Sequence, residues 1–261
     1  MRGESMMTTP HIHRARIYKL LAVGFDKPLD RAADGTDGPP RSAIGTELHE
    51  SATAIDPTLA SAAAAVAESW PRSVEHHRSL YRSTFGVEHE SAISRYEVSF
   101  APGTLVTNTD RMADIAGFYR AFGLDIAENA QERVDFLPTQ LEFMQHLALQ
   151  CAYLVETDDQ EGVEIVRSAS ASFIEDHLGR WVPRFVEEIV EEVDGTVYAE
   201  LATVLGRWVE REGDRVGVEP DVFDDEPPAP LEGITGLERD EFGRLSVQCG
   251  FDRTSSGVSQ E

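Results

Sequence analysis

The fold is decided by residues 108–153, which read NTDRMADIAGFYRAFGLDIAENAQERVDFLPTQLEFMQHLALQCAY. The first half places Ile115 and Tyr119 on one side of a helix, because apolar residues three or four positions apart share a helical face. Gly123 ends this helix, since glycine enters the left-handed conformation without steric cost. The second half begins a new helix that tolerates Pro138 in its first turn. The stretch therefore predicts two core helices joined by a polar connection.

Polar side chains are expected to begin both of these helices. Asn108 is expected to cap the first helix, and the carboxylate of Asp135 is expected to accept a hydrogen bond from the free amide groups of the second. The second helix then carries an apolar stripe formed by Leu137, Leu141, Met144 and Ala148. Upstream, the segment from Arg95 to Thr107 alternates locally like a strand, but proline and glycine interrupt it, so we expect an ordered loop.

Helical periodicity recurs along most of the chain, in roughly nine patterns with mostly short connections, and no convincing pair of strands accompanies them. This pattern predicts an all-α fold with a single globular multi-helix domain. We expect a flexible leader at residues 1–10 and an all-helical domain at residues 11–212. Residues 213–261 are acidic, rich in proline and weakly apolar, so we expect a mostly disordered, flexible C-terminal tail.

The charge of the chain disfavours two classes of partner. The formal net charge is −24, from 47 acidic and 23 basic residues, which disfavours nucleic acid and stable membrane insertion. The acidic residues are spread over nearly every segment, and arginine replaces lysine almost throughout, which indicates a halophilic protein in a salt-rich cytoplasm. At about 1 M salt the Debye length is roughly 3 Å, so recognition must rely on close ion pairs and apolar contact.

Few residues suggest a metal, a disulfide or a membrane anchor. Cys151 and Cys249 are the only cysteines, and we expect Cys151 to be a small buried residue. His76 and His77 point about 100° apart on a helix, so we expect both to be solvated rather than metal ligands. No signal peptide opens the chain and no apolar run is long enough to span a bilayer, so a cytoplasmic protein is expected. We also expect a monomer or homodimer without a cofactor.

Common catalytic signatures are absent from the sequence, including GxGxxG, GxxxxGK, HExxH and GxSxG. Glu142 and His146 are neighbours on one helix face, which leaves open a small metal-dependent hydrolase, although an exposed helix contact is the simpler interpretation. Asp176 and His177 form a second polar group before Trp181. The alternative of a structural subunit retained in a larger enzyme complex also remains open.

Three stretches together resemble the TorD/DmsD/NarJ family of redox-enzyme maturation chaperones, which serve molybdoenzymes of the dimethyl sulfoxide reductase class. The stretches are ADIAGFYRAFG at 113–123, ERVDFLPTQLEFMQHL at 132–147 and FIEDHLGRWVPRF at 173–185. The opening YKLLAVGFDKP resembles the family's first helix, and Tyr96 with Glu97 matches a tyrosine–glutamate pair of the family. The first stretch most resembles the branch serving dimethylsulfide, ethylbenzene and chlorate-type oxidoreductases.

The resemblance implies a protein without catalytic activity that binds the catalytic subunit of a molybdopterin oxidoreductase. In the family, that client often carries a twin-arginine signal peptide, which the chaperone holds until the molybdenum cofactor is inserted. Asp135 matches the aspartate of the family's P-D-H motif and Glu142 matches the glutamate that follows, whereas Phe136 replaces the histidine. The client-binding residues implied or suggested are Tyr96, Glu97, Tyr119, Asp135, Phe136, Glu142, Asp176 and His177.

Overall fold

The computed structural model describes residues 4–28, 43–86, 92–125, 132–224, 237–239 and 245–247. Throughout these ranges the chain is dominated by α-helices, which confirms the predicted all-α class. In chain order, the helices are α1 (Glu4–Phe25), α2 (Ile44–Ile55), α3 (Pro57–Ser69), α4 (Val74–Phe85), α5 (Leu105–Ala121), α6 (Leu137–Glu156), α7 (Gln160–Phe173), α8 (Gly179–Glu192) and α9 (Val197–Val216). A 3₁₀ turn, Glu97–Ser99, precedes α5, and a π-helical turn, Ile174–Leu178, joins α7 to α8.

The two central packing partners are α1 and α6. Helix α1 buries Ile17, Leu20 and Leu21 completely or almost completely, and it packs along α6 on one side and against α2 on the other. It begins at Glu4, earlier than the predicted start at His11, and ends at Phe25 as the periodicity indicates. Helices α2 and α3 form one antiparallel pair, and α8 packs on α9. The core therefore lies between the N-terminal and C-terminal helices.

The chain beyond α9 returns to the helical body. Gly217 ends α9 with a φ of 81°, the left-handed conformation that glycine adopts without strain. Phe223 is 3 % exposed, and its backbone N–H donates to the carbonyl oxygen of Arg180 at 2.9 Å. The guanidinium groups of Arg111 and Arg180 lie 4.7 and 4.6 Å from its ring centroid. Ordered packing thus extends past residue 212, while most of the expected tail lies outside the described residues.

A pair of short antiparallel strands was not predicted. Strand β1 (Leu237–Arg239) pairs antiparallel with β2 (Leu245–Val247), and Leu237 lies opposite Val247. Strands of three residues are too short to produce a recognisable alternating pattern in a sequence. No helix in the described ranges combines the length and apolar character needed to cross a membrane.

Two local predictions are wrong for identifiable reasons. Helix α5 begins at Leu105 rather than after Asn108, because Thr104 and Thr107 satisfy each other's backbone amide groups in a capping box. His77, expected to be solvated, is 4 % exposed and lies 3.1 Å from the hydroxyl oxygen of Tyr198. An imidazole has an apolar ring face, so one well-placed polar partner is enough to bury it. His76 is exposed and Cys151 is buried, as predicted.

Helices α2 and α3 approach each other at Gly45. A Cβ atom at this position would lie 2.5 Å from the Cα atom and 2.6 Å from the backbone nitrogen of Ala67. Both atoms belong to the backbone, so a rotamer change cannot relieve the clash. The close approach of this helix pair therefore depends on glycine.

We predict opposite effects of two glycine-to-alanine substitutions. Gly45→Ala should destabilise the protein by about 1–3 kcal/mol, because α2 and α3 must separate to admit the methyl group. Gly117→Ala in α5 is the matched control, since a Cβ there meets nothing within 4 Å. It should stabilise by about 0.5–1 kcal/mol through helix propensity. Chemical denaturation measures both values, and a stabilising Gly45→Ala would contradict the close helix approach.

Candidate functional site

Two segments that each precede a helical element pair with one another. Tyr96 and Phe136 form an isolated antiparallel bridge. The N–H of Leu137 donates to the carbonyl oxygen of Arg95 at 2.9 Å, and the N–H of Glu97 donates to the carbonyl oxygen of Asp135 at 3.1 Å. Residues 95–97 and 132–137 are called the bridge edge below. This pairing brings four of the predicted site residues together.

Asp135 has a different role from the predicted helix cap. Phe136 occupies the N-cap position of α6, so Asp135 lies one residue too early to reach the amide groups of the first turn. Its Oδ2 accepts a hydrogen bond from the N–H of Val98 at 3.2 Å. Arg133 binds both carboxylate oxygens, from Nε to Oδ1 at 2.9 Å and from Nη2 to Oδ2 at 2.7 Å. The carboxylate of Asp135 therefore connects residues 132–137 to Val98 and stabilises the bridge edge, instead of capping the helix.

Glu97 is a fully buried carboxylate with partners on several elements. Gln140 on α6 donates from Nε2 to Oε2 at 2.6 Å. His177, in the π-helical turn, lies with Nδ1 3.0 Å from Oε1, and Arg111 on α5 lies with Nη1 3.5 Å from the same oxygen. Trp181 on α8 extends the network by donating from Nε1 to Gln140 Oε1 at 3.1 Å. The side chain of Glu97 has an exposure of 0 %, so these contacts replace its hydration.

The π-helical turn explains how His177 reaches Glu97. Such a turn adds a residue to the α-helical repeat and rotates the side chains that follow it. It leaves His177 2 % exposed, with Nδ1 towards Glu97 and Nε2 3.3 Å from Oδ2 of Asp114. Each ring nitrogen of His177 therefore lies near a carboxylate oxygen, from Glu97 on one side and from Asp114 on the other. The turn thus connects α7 and α8 to the bridge edge.

Tyr119 attaches α5 to the same edge. Its hydroxyl donates to the carbonyl oxygen of Val134 at 2.9 Å, and its ring packs 5.0 Å from that of Phe143 between centroids. Burial raises the pKa of the Tyr119 hydroxyl well above its usual value, and the negative charges of Glu97, Asp135 and Glu142 raise it further. The hydroxyl therefore stays protonated and remains a donor.

The bridge edge also presents polar and aromatic groups to solvent. Tyr96 is half-buried, and its hydroxyl donates to Oε2 of the exposed Glu132. Burial, the hydrogen bond to Glu132 and the charge of that carboxylate raise the pKa of Tyr96 to about 12. The guanidinium of Arg133, whose side chain is 48 % exposed, lies 4.4 Å from the centroid of the Tyr96 ring. The surface of the bridge edge therefore carries the aromatic ring of Tyr96 beside the guanidinium of Arg133, which Asp135 binds.

Two of the predicted site residues do not join this group. Glu142 is exposed and pairs with Lys19 Nζ on α1 at 3.0 Å. Asp176 is exposed and has no ion pair among the described residues. His146 lies 2.9 Å from Nε2 of Gln150, so the residues considered for a hydrolase have other partners. No cluster of three or more metal-ligating side chains occurs in the described part of the chain.

Sequence reasoning missed Arg95, which anchors the bridge edge to the core. Its guanidinium lies 4.9 Å from the ring centroids of Tyr81 and Phe85 and 4.8 Å from that of Phe136. Nη1 donates to the carbonyl oxygen of Phe25 at 2.8 Å. The available signal was its position directly before the matched tyrosine and glutamate. Cation–π contacts of a desolvated guanidinium contribute up to about 2 kcal/mol each, so this residue stabilises the edge.

Gln140 was also missed, although the sequence contained a signal for it. Gln140 lies three positions after Leu137 and four before Met144, and so shares the apolar face of α6. A polar amide on such a face needs buried partners, and Glu97 and Trp181 supply them. An amide in the middle of an apolar stripe therefore indicates a buried polar network.

Comparisons with known proteins agree with this part of the fold. The family described as nitrate reductase delta subunit matches residues 45–187, which include the bridge edge and all partners of Glu97 named above. The selenate reductase assembly chaperone protein of Thauera selenatis is 32 % identical over 106 residues, covering 41 % of this chain and 53 % of the relative. The chlorate reductase assembly chaperone protein of Ideonella dechloratans is 30 % identical over 109 residues, covering 42 % and 54 %.

A third relative is similar over a longer range. The perchlorate reductase assembly chaperone protein of Dechloromonas aromatica (strain RCB) is 27 % identical over 205 residues, covering 76 % of this chain and 87 % of the relative. The chain spans about half the length of the first two relatives. Since the family match covers more than half of the 261 residues, this chain belongs to the nitrate reductase delta subunit family.

Proposed function

We propose that this chain is an assembly chaperone for a molybdopterin oxidoreductase of the dimethyl sulfoxide reductase class. It binds the catalytic subunit in the cytoplasm, before cofactor insertion and export. The observation that carries this proposal is that the family match at residues 45–187 contains the complete bridge edge and its buried network. The names of the relatives, which are assembly chaperones for selenate, chlorate and perchlorate reductases, support the same assignment.

The bridge edge is proposed as the surface that receives a twin-arginine leader. Asp135 has a buried carboxylate that already binds a guanidinium in bidentate fashion, and that guanidinium belongs to the half-exposed Arg133. We propose that a leader arginine takes the place of Arg133 on Asp135. The exchange replaces one bidentate pair by an equivalent one, so it sacrifices no charge-assisted hydrogen bonds.

We propose that the stretch following the arginines of such a leader packs on exposed apolar side chains of α5. Leu105 and Val106, in the first turn of α5, are 74 % and 68 % exposed. The ring of Tyr96 adds a half-buried aromatic surface at the bridge edge. Glu97, His177, Tyr119 and Phe136 then act by holding the bridge edge in place.

The charge of the chain is compatible with short-range recognition. At a formal net charge of −24, a cationic leader is attracted from a distance only at low salt. In a salt-rich cytoplasm, which we propose for this protein, bidentate pairs and apolar contacts retain most of their strength. The geometry of Asp135 with a guanidinium provides a pair of this kind.

A second candidate function is a subunit that remains in the mature enzyme. The family description itself names a subunit of nitrate reductase, which favours considering this role. The two candidates differ in stoichiometry, because a chaperone leaves the finished enzyme and a subunit remains with it. Purified, active oxidoreductase containing this chain at equal stoichiometry would favour the subunit.

The chaperone role predicts a defined defect in cells that lack this chain. The client's catalytic subunit should accumulate with at least about tenfold less bound molybdenum, because cofactor insertion needs the chaperone-bound state. Molybdenum analysis of the affinity-purified catalytic subunit measures this, with a plasmid-borne copy of the gene as the control. A subunit with full molybdenum content and activity would contradict the proposal.

Exchange of guanidinium groups on Asp135 predicts an unusual gain of affinity. Arg133→Gln should bind a peptide with two adjacent arginines and an apolar stretch about tenfold more tightly, because the internal competitor is gone. The same variant should lose about 1–3 kcal/mol of stability, since Asp135 is left buried without its cation. Calorimetric titration measures the affinity, and denaturation measures the stability.

Three comparisons make the result specific. Arg120→Gln removes an exposed arginine of α5 and should leave peptide affinity unchanged. Asp135→Asn should weaken binding in the Arg133→Gln background, because the bidentate acceptor is lost. A peptide with two lysines should gain nothing from Arg133→Gln, since an ammonium group cannot form the planar fork. Equal affinities for Arg133→Gln and Arg120→Gln would place the leader elsewhere.

A further inference from the structure

A pocket of about 360 Å³ lies apart from the bridge edge, where α1, α6, α7 and α9 meet. Its wall combines an apolar floor with cationic and imidazole groups from three of these helices, α1, α7 and α9. The lining residues are His11, Arg14, Leu147, Ala148, Cys151, Val163, Val166, Arg167, Ser170 and Arg215. No acidic side chain lines it among the described residues, although the whole chain contains 47 acidic and 23 basic residues.

Two of the three arginines of this pocket share a single carboxylate. Arg14 donates from Nε to both oxygens of Glu212 at 3.0 Å, and Arg215 donates to the same two oxygens at 3.1 and 3.3 Å. Glu212 is completely buried, and Arg167 forms no ion pair within the described residues. The pocket therefore has three guanidinium groups, and one carboxylate pairs with two of them, so a local excess of positive charge remains.

The neutral groups of the pocket preserve this excess. Nη1 of Arg14 lies 3.0 Å from Nδ1 of His11, and because a guanidinium only donates, Nδ1 is the acceptor. Burial lowers the pKa of His11, as do the charges of Arg14 and Arg215, while Glu212 opposes them. Burial raises the pKa of the Cys151 thiol, so that group is uncharged as well. Nε2 of His11 then carries the proton and lies 3.9 Å from Cys151 Sγ.

Arg167 and Arg215 both keep hydrogen-bond donors that no carboxylate within the described structure uses. Arg215 uses Nε and Nη2 for Glu212, which leaves its Nη1 hydrogens, and its side chain is 27 % exposed. Arg167 is exposed at the same pocket with its whole guanidinium available within the described structure. The floor below them consists of Leu147, Ala148 and Val166, all buried. Cationic donors above an apolar floor are complementary to a molecule with an anionic head and an apolar body.

We propose that this pocket binds a small amphiphilic anion, with its carboxylate or phosphate head on Arg167 and Arg215 and its apolar body on the floor. The site is independent of the bridge edge, so a client and this anion can be bound together. Its walls come from N-terminal and C-terminal helices, so an occupant would hold α1 against α7 and α9. Binding to the folded state alone then stabilises the protein.

Calorimetric titration and thermal denaturation of the full chain with hexanoate and hexyl phosphate test this proposal. Each should bind saturably at one site and raise Tm by about 3 °C at tenfold excess over Kd. Hexanol lacks the anionic charge, hexylamine carries the opposite charge, and inorganic phosphate lacks the apolar body. Each should bind at least about tenfold more weakly. The tighter of the two anions identifies the head group as a carboxylate or a phosphate.

Matched variants locate the binding site. Arg167→Gln should weaken the preferred anion about tenfold, by removing its unpaired cation, without unfolding the protein. Arg120→Gln makes the same charge change outside the pocket and should leave affinity unchanged. The proposal is overturned if neither anion binds, if hexanol binds as tightly as hexanoate, or if the two variants have equal affinity.

Discussion

The buried carboxylate of Glu97 is the constraint on which the helix arrangement at the candidate site depends. A carboxylate with no access to water must be compensated by nearby donors, and removing one partner of a buried pair costs about 3–5 kcal/mol. Here the donors come from α5, α6 and the π-helical turn, through Arg111, Gln140 and His177. These elements must therefore meet at one place, and Trp181 brings in α8 through Gln140.

The buried network around Glu97 also stabilises the bridge edge, which has little backbone pairing of its own. A single antiparallel bridge between Tyr96 and Phe136 contributes little by itself. Three side chains hold it in place. Glu97 does so through its hydrogen bond with Gln140, Arg95 through its guanidinium packed on aromatic rings, and Asp135 through its hydrogen bond with the N–H of Val98. The ring of Phe136 packs against that of Tyr96 across the bridge and also contacts the guanidinium of Arg95.

The sequence predicted those features that depend on neighbours along the chain. Periodicity predicted the helices, and Gly123 follows the end of α5 with a φ of 73°, the left-handed conformation expected there. The partners of polar residues depend instead on segments distant in sequence. Asp135 and Glu142 are both acidic residues near the start of α6, yet one turns to residues 97–99 and the other to Lys19 on α1. Nothing in the local pattern distinguishes these outcomes.

Hydrogen–deuterium exchange of the chain, alone and bound to the precursor of a molybdopterin oxidoreductase catalytic subunit, measures whether the client covers the bridge edge. If it does, exchange should be slower in the complex at residues 95–100 and 132–138. Helices α2 and α3 should be unchanged and provide an internal reference. Protection confined to other helices in a formed complex, with unchanged exchange at the bridge edge, would contradict the account.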